Sequence, residues 1–181
     1  MGLMNLNKAA SKYTSEPMKG NIERLVTFDL YHCLLAGGLS TSIRLQDKYS
    51  CFPSEYLEWL KVCDGGLLFD TVILSSKAHD DELNLDFDSY DEVNAEEGHL
   101  GTALPAGYVI FAMRSYGDLI CFSHNKTDDK VYLWDIENGA FSNTWNSFTD
   151  WITEEIDDGI KLIADEVLDP LNLKLEESGD E

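Results

Sequence analysis

The chain has 181 residues, 34 acidic against 13 basic, a formal net charge of −21 and a hydrophobic content of 44%. The apolar share suffices for one domain with an ordinary core and argues against global disorder, while the charge repels nucleic acid and anionic membranes. No run approaches the roughly 20 apolar residues of a membrane span, and the start lacks a basic-then-apolar export pattern, so a soluble, cytoplasmic protein is expected.

Residues 1–20 carry no sustained period and are expected to fray, 21–168 to form a single domain, and 169–181 to make a loose acidic tail. From Asn21, a candidate cap, Ile22, Leu25, Val26, Leu30, Cys33 and Leu34 fall near helical spacing. A strand through Val26-Thr27-Phe28 is the competing reading. Ser40 can cap a short helix through Tyr49. Phe52-Pro53-Ser54 opens another, with Pro in its first turn and Tyr56, Leu57, Leu60 and Cys63 as its apolar face. Asp64-Gly65-Gly66 is expected to stop it. Leu67 to Ser75 reads as a strand or a short hairpin with its break at Asp70-Thr71.

Residues 77–101 then gather Asp80, Asp81, Glu82, Asp86, Asp88, Asp91, Glu92, Glu96 and Glu97. The stretch exceeds an ordinary connection, which makes it functional or mobile. Leu83, Leu85 and Phe87 alternate with acids as an edge strand would, and Tyr90 and Val93 can tack the remainder down.

The chain is organised around Leu104 to Ser123. Val109, Phe111 and Met113 alternate with Ile110 and Ala112, and Leu119 and Cys121 alternate with Ile120 and Phe122. Apolar residues thus occupy both phases, which predicts strands covered on both faces, joined at Ser115-Tyr116-Gly117-Asp118 into a hairpin at the centre of a sheet. Val131 to Asp135 is a third strand after a polar turn, and Ala140-Phe141 starts a short strand or leads into the next helix. That closing helix is capped at Ser147-Phe148-Thr149-Asp150, and its apolar stripe is Phe148, Trp151, Ile152, Ile156, Ile160, Ile163 and Val167. Gly159 counts against it by about 1 kcal/mol.

Little in the sequence suggests catalysis. Cys33, Cys51, Cys63 and Cys121 share no metal-ligand spacing and sit among apolar neighbours, so they read as buried thiols. His32, His79, His99 and His124 form no HxxxH or HxH pattern. Gly65-Gly66 follows a helix pattern and does not open one, so it is a turn and not a phosphate cradle. Asn84 to Asp88 superficially suggests a calcium loop, but Ser89 and Ala95 stand where an EF-hand needs Gly and Glu. A looser acidic calcium site in the stretch is left open. Asp118 reads as a turn residue. Tyr116 and Trp145 are either a paired exposed aromatic anchor or residues packed over the sheet edge. No catalytic residue, cofactor or metal is assigned.

Three blocks together resemble the SUKH superfamily, which contains bacterial immunity proteins and fungal Smi/Knr-type regulators of cell-wall glucan synthesis. They are Phe52 to Leu60 running into Asp64-Gly65-Gly66, where Asp64 replaces the usual Asn; Leu104 to Tyr108 running to Gly117-Asp118; and Val131 to Asp135 followed by Phe148 and Trp151. The resemblance covers about Ser40 to Trp151. It implies an α+β fold, a mainly antiparallel central sheet with helices packed on it, and a non-enzymatic protein-binding role. Immunity proteins of this kind neutralise toxins. With the charge, this makes a basic, nuclease-type toxin domain the expected partner, and a regulatory role in cell-wall or glucan synthesis the alternative. The expected contact residues are the acids Asp80 to Glu97 with Tyr116 and Trp145, and carboxylates of the closing helix could join them.

Overall fold

The computed structural model describes residues 16–25, 33–37, 51–60, 63–75, 89–95 and 104–164. In chain order the elements are α1 (Glu16–Leu25), β1 (Cys33–Gly37), α2 (Ser54–Leu60), β2 (Cys63–Leu68), β3 (Thr71–Ile73), α3 (Tyr90–Val93), β4 (Tyr108–Arg114), β5 (Leu119–Ser123), β6 (Val131–Asp135), β7 (Ala140–Trp145) and α4 (Phe148–Ala164). All seven strands form one sheet in sequence order, each antiparallel to the next. This α+β meander places β4 in the middle, as the two-phase apolar pattern of the 104–123 stretch predicted. Val109 to Ala112 and Leu119 to Phe122 are all buried.

Aromatic rings hold the helices to the sheet. Phe111 stacks on Phe122 with centroids 4.2 Å apart and planes 16° from parallel. Tyr56 of α2 sits 5.0 Å from each of them and from Phe148 of α4. Trp151 meets Phe111 edge-on at 5.1 Å. Such pairs add about 0.5–1.5 kcal/mol each beyond the area they bury. The register is further fixed by a bulge between Ile110 and Ala112, which turns both Phe111 and Ala112 inward.

The short helix α3 is joined to the sheet through the side chain of its C-cap residue, Asn94. β3 pairs with β4 only as far as Ala112, and Leu74 N–H donates to the Phe111 carbonyl at 2.9 Å. At the next position Asn94 replaces a strand: its Nδ2 donates to the Ile110 carbonyl (2.9 Å) and its Oδ1 accepts from the Ile110 N–H (2.8 Å). Tyr90 and Val93 are buried beneath it, so they anchor this segment as expected.

Several boundaries differ from the sequence reading. The first described helix spans Glu16–Leu25, and Asn21 lies inside it, not at its cap. It is buried against α4, with Nδ2 donating to Thr153 Oγ1 at 2.8 Å. The Gly pair stops no helix: Cys63, Asp64, Gly65 and Gly66 belong to β2. Gly65 has φ +90°, and a Cβ there would come within 2.7 Å of Ser75 Cβ, so close approach to the next strand requires glycine. The 67–75 hairpin forms with its turn at Phe69-Asp70. In α4, Ile160 is 40% exposed and is not core. Gly159 takes the inward position because the Phe69 ring lies on the helix backbone there, 2.3 Å from where a Cβ would sit. The 40–49 helix, the Leu83-Leu85-Phe87 strand, Val167 and the acidic tail lie outside the described residues. No described helix is long and apolar enough to cross a membrane.

Candidate protein-binding surface

Among the predicted contact residues, Asp80, Asp81, Glu82, Asp86, Asp88, Glu96 and Glu97 lie outside the described residues. Asp91 and Glu92 are exposed on the first turn of α3. Glu92 also has a structural task. Its Oε2 accepts from Ser89 N–H (3.1 Å) and Ser89 Oγ (2.7 Å) while its own N–H donates to Ser89 Oγ, completing a capping box. Those bonds hold its carboxyl below the usual range.

Tyr116 is 66% exposed at the tip of the central hairpin, where an anchor residue would stand. Trp145 is only 7% exposed, so the paired exposed anchor is corrected. The sheet register explains the separation. The turn bearing Tyr116 adjoins Leu119, whose neighbours across the sheet are Trp134 and then Phe141. Trp145 instead pairs with Val131, which pairs with Phe122, at the other end of the strands.

Beside Trp145 lie carboxylates of the closing helix, the ones expected to join the contact. Asp150, Glu154, Asp157 and Asp158 are exposed on α4 and, with Trp145, Thr153 and Lys161, line an open cavity of about 530 Å³. Arg24 of α1 pairs with Asp157, and Lys161 with Asp158 at 2.7 Å. Asp150 and Glu154 have no ion pair among the described residues. The apolar residues of α4 face the sheet, which leaves these acids on the outer face. At the helix start, Ser147 Oγ accepts from Asp150 N–H (3.0 Å), and Glu55 of α2 accepts from Thr149 N–H (2.9 Å) and Thr149 Oγ1 (2.8 Å). The predicted cap is therefore real, with a carboxylate from another helix completing it.

Under Tyr116 lies a buried charged cluster that the sequence did not reveal. Arg114 Nη1 contacts Glu155 Oε1 (2.5 Å), Asp70 Oδ1 (3.0 Å) and Thr71 Oγ1 (3.1 Å). Thr71 Oγ1 also donates to Glu155 Oε1 (2.6 Å), and Glu155 Oε2 has no partner among the described residues. Burial pushes the Glu155 carboxyl up to about 7, although Arg114 and Thr71 pull the other way. Burial also opposes the charge on Arg114, but Glu155 and Asp70 more than offset it. The cluster ties the 115–118 turn, β3 and α4 into one unit beneath the exposed tyrosine.

The four cysteines are buried and free, and burial pushes Cys33 and Cys121 up to about 12, where thiolate is scarce at neutral pH. Among the described residues no group of His, Cys, Asp and Glu is arranged to hold a metal. Asp118 is a turn residue, with Oδ1 accepting from Ile136 N–H at 3.3 Å.

The SMI1 / KNR4 family (SUKH-1) matches residues 43–154, more than half of the chain. The chain belongs to that family. The match agrees with the blocks picked out at Phe52, Leu104 and Val131, and with the antiparallel α+β sheet. No curated protein and no solved structure matches the chain. Within the SUKH-1 span lie α2, α3, β2 to β7 and the start of α4 with Asp150 and Glu154, whereas α1, β1, Asp157, Asp158 and Lys161 lie outside it.

Proposed function

We propose that the chain is a non-enzymatic binding protein which neutralises a basic toxin domain, of nuclease type, in the cytoplasm. The observation that carries this reading is a net charge of −21 on a SUKH-1 chain. A nuclease holds phosphate with Lys and Arg, and a surface of carboxylates competes for those groups. Occlusion is then steric and electrostatic, and opposed charges raise association rates toward about 10⁸–10⁹ M⁻¹s⁻¹ at low salt. The acids of 80–97 and those of α4 supply the field, and the rigid sheet supplies a fixed backing.

The test is co-expression with a toxin domain encoded beside this gene, coupled to a pull-down with the purified chain at low and high salt. Growth rescue with capture that weakens as salt rises is expected. A partner that is acidic, or held equally at both salt concentrations, overturns the reading. A second reading, a regulatory scaffold of cell-wall or glucan synthesis, draws on the SMI1 / KNR4 match itself. Capture of a wall-synthesis enzyme or a kinase, without rescue from any toxin, would favour it.

A further inference from the structure

β7 is an edge strand. Among the described residues its one partner in the sheet is β6, and Ala140, Phe141, Ser142, Asn143 and Thr144 are all exposed. Proteins protect such edges with Lys, Pro or inward-pointing charges, because a row of free N–H and C=O groups recruits another strand. The sequence AFSNTW contains none of these, although Thr144 N–H already donates to Asn143 Oδ1 at 2.8 Å, a bond that an added strand would have to displace or leave in place. The bulge at Leu133/Trp134, which leaves Ser142 outside the register, interrupts pairing with β6 only locally.

The surroundings of this edge differ on its two faces. On the face away from α4, Phe141 is 37% exposed and packs on Tyr108 (4.7 Å), Tyr132 (5.4 Å) and Trp134 (5.0 Å), the rim of an aromatic surface. On the α4 face, at the end of the strand, is the cavity with Asp150, Glu154, Asp157 and Asp158. Trp145 forms part of its wall, and the Trp145 Nε1 has no acceptor among the described residues. A strand laid along β7 would alternate its side chains between these two environments.

Resting on the proposed protein-binding role, we infer that the partner adds an extended segment to the free edge of β7, with basic residues in the phase facing α4 and apolar residues in the phase facing Phe141. Main-chain hydrogen bonds then supply the register, and Lys or Arg beside Glu154 and Asp150 supplies selectivity for a basic strand over an acidic one. This is strand addition at a named edge, a narrower claim than attraction between opposite charges.

The probe is a synthetic peptide alternating Lys and Val, compared with one alternating Glu and Val, and with two Lys-Val peptides N-methylated on one or the other alternate set of amides. Hydrogen exchange of the full chain is followed residue by residue. The Lys-Val peptide is expected to slow exchange across 140–145 by about tenfold at saturation, while the Glu-Val peptide leaves it unchanged and one of the two N-methylated peptides, the one blocked on the amides that face β7, loses the effect. The double variant Glu154→Gln/Asp150→Asn is expected to weaken Lys-Val binding about tenfold while its β7 exchange without peptide stays as in the parent chain. Binding without protection of 140–145, or protection that survives N-methylation of each of the two alternate sets of amides in turn, overturns strand addition. No binding of the Lys-Val peptide, in a chain that still captures a basic partner, overturns this inference and leaves the proposed function standing. Loss of both overturns the two together.

Discussion

Glu155 offers a direct test of the buried cluster through the replacement Glu155→Gln. In the unfolded chain this carboxyl titrates at its ordinary value of 4.5, and in the fold burial pushes it up to about 7. The native state therefore binds this proton more tightly than the unfolded state. The stabilisation is complete below 4.5 and is lost as pH rises through 7. At about 1.4 kcal/mol for each tenfold change in proton affinity, the full loss is on the order of 3 kcal/mol. Gln resembles the protonated acid in shape and does not titrate, so it removes this dependence. Glu155 is 3% exposed, which leaves little solvent screening to reduce the effect.

The assay is urea unfolding followed by tryptophan fluorescence for both proteins between about pH 5 and about pH 8. Both will show the background slope of a highly acidic chain, but their difference isolates one residue. Relative to the parent, the variant should gain about 2.5 kcal/mol across that range, with the change steepest below pH 7. Asp70→Asn in the same series should shift the transition to lower pH, because the Asp70 charge is one of the influences raising Glu155. A difference that stays flat with pH, or that favours the parent increasingly as pH rises, would refute the reasoning. In that event Glu155 is ionised throughout and Arg114 outweighs its burial.

Gly159→Ala should destabilise by about 1–3 kcal/mol in the same unfolding assay, even though Ala favours helix, because its Cβ meets the Phe69 ring. A stabilised variant would show that Phe69 yields freely. Asn94→Ala removes both bonds to Ile110 and should cost about 2 kcal/mol, with faster amide exchange at Ile110 as the local signature. Phe122→Ala, which takes a ring from the stack with Phe111 and Tyr56, should cost about 3–5 kcal/mol in a urea midpoint series. Ser147→Ala should cost about 1 kcal/mol, and less if Glu55 takes over the Asp150 N–H.

The central hairpin could be read from the sequence because its apolar residues occupy both phases, and only a covered strand tolerates that pattern. The closing helix was legible for a similar reason, since the stripe from Phe148 to Ile156 repeats at a helical interval. Ile160 and Gly159 broke that reading. A spacing rule counts Gly as a defect, and only the position of Phe69 makes the absent side chain a fitted surface. Gly65 misled in the same way, because a glycine that ends a helix and one that admits a neighbouring strand look alike until Ser75 is placed beside it.

The candidate site divides along the same line between local and distant information. Acids on the outer face of α4 follow from its apolar stripe, so their exposure needs nothing beyond helical period. Arg114, Asp70 and Glu155 are separated by 44 and 41 residues, and no local pattern links them. Trp145 illustrates the consequence for binding. As a lone aromatic near a turn it resembles an exposed anchor, yet in the sheet it pairs with Val131 and becomes the wall against which four carboxylates are set. On the inferred strand addition, a partner bonds to backbone groups along β7, and these do not vary with sequence. Selectivity must then come from the carboxylates at the end of the strand. Changing Asp150 and Glu154 should alter which basic segment binds, while changing Ala140 and Ser142 to others with the same backbone freedom, with Phe141 kept, should not.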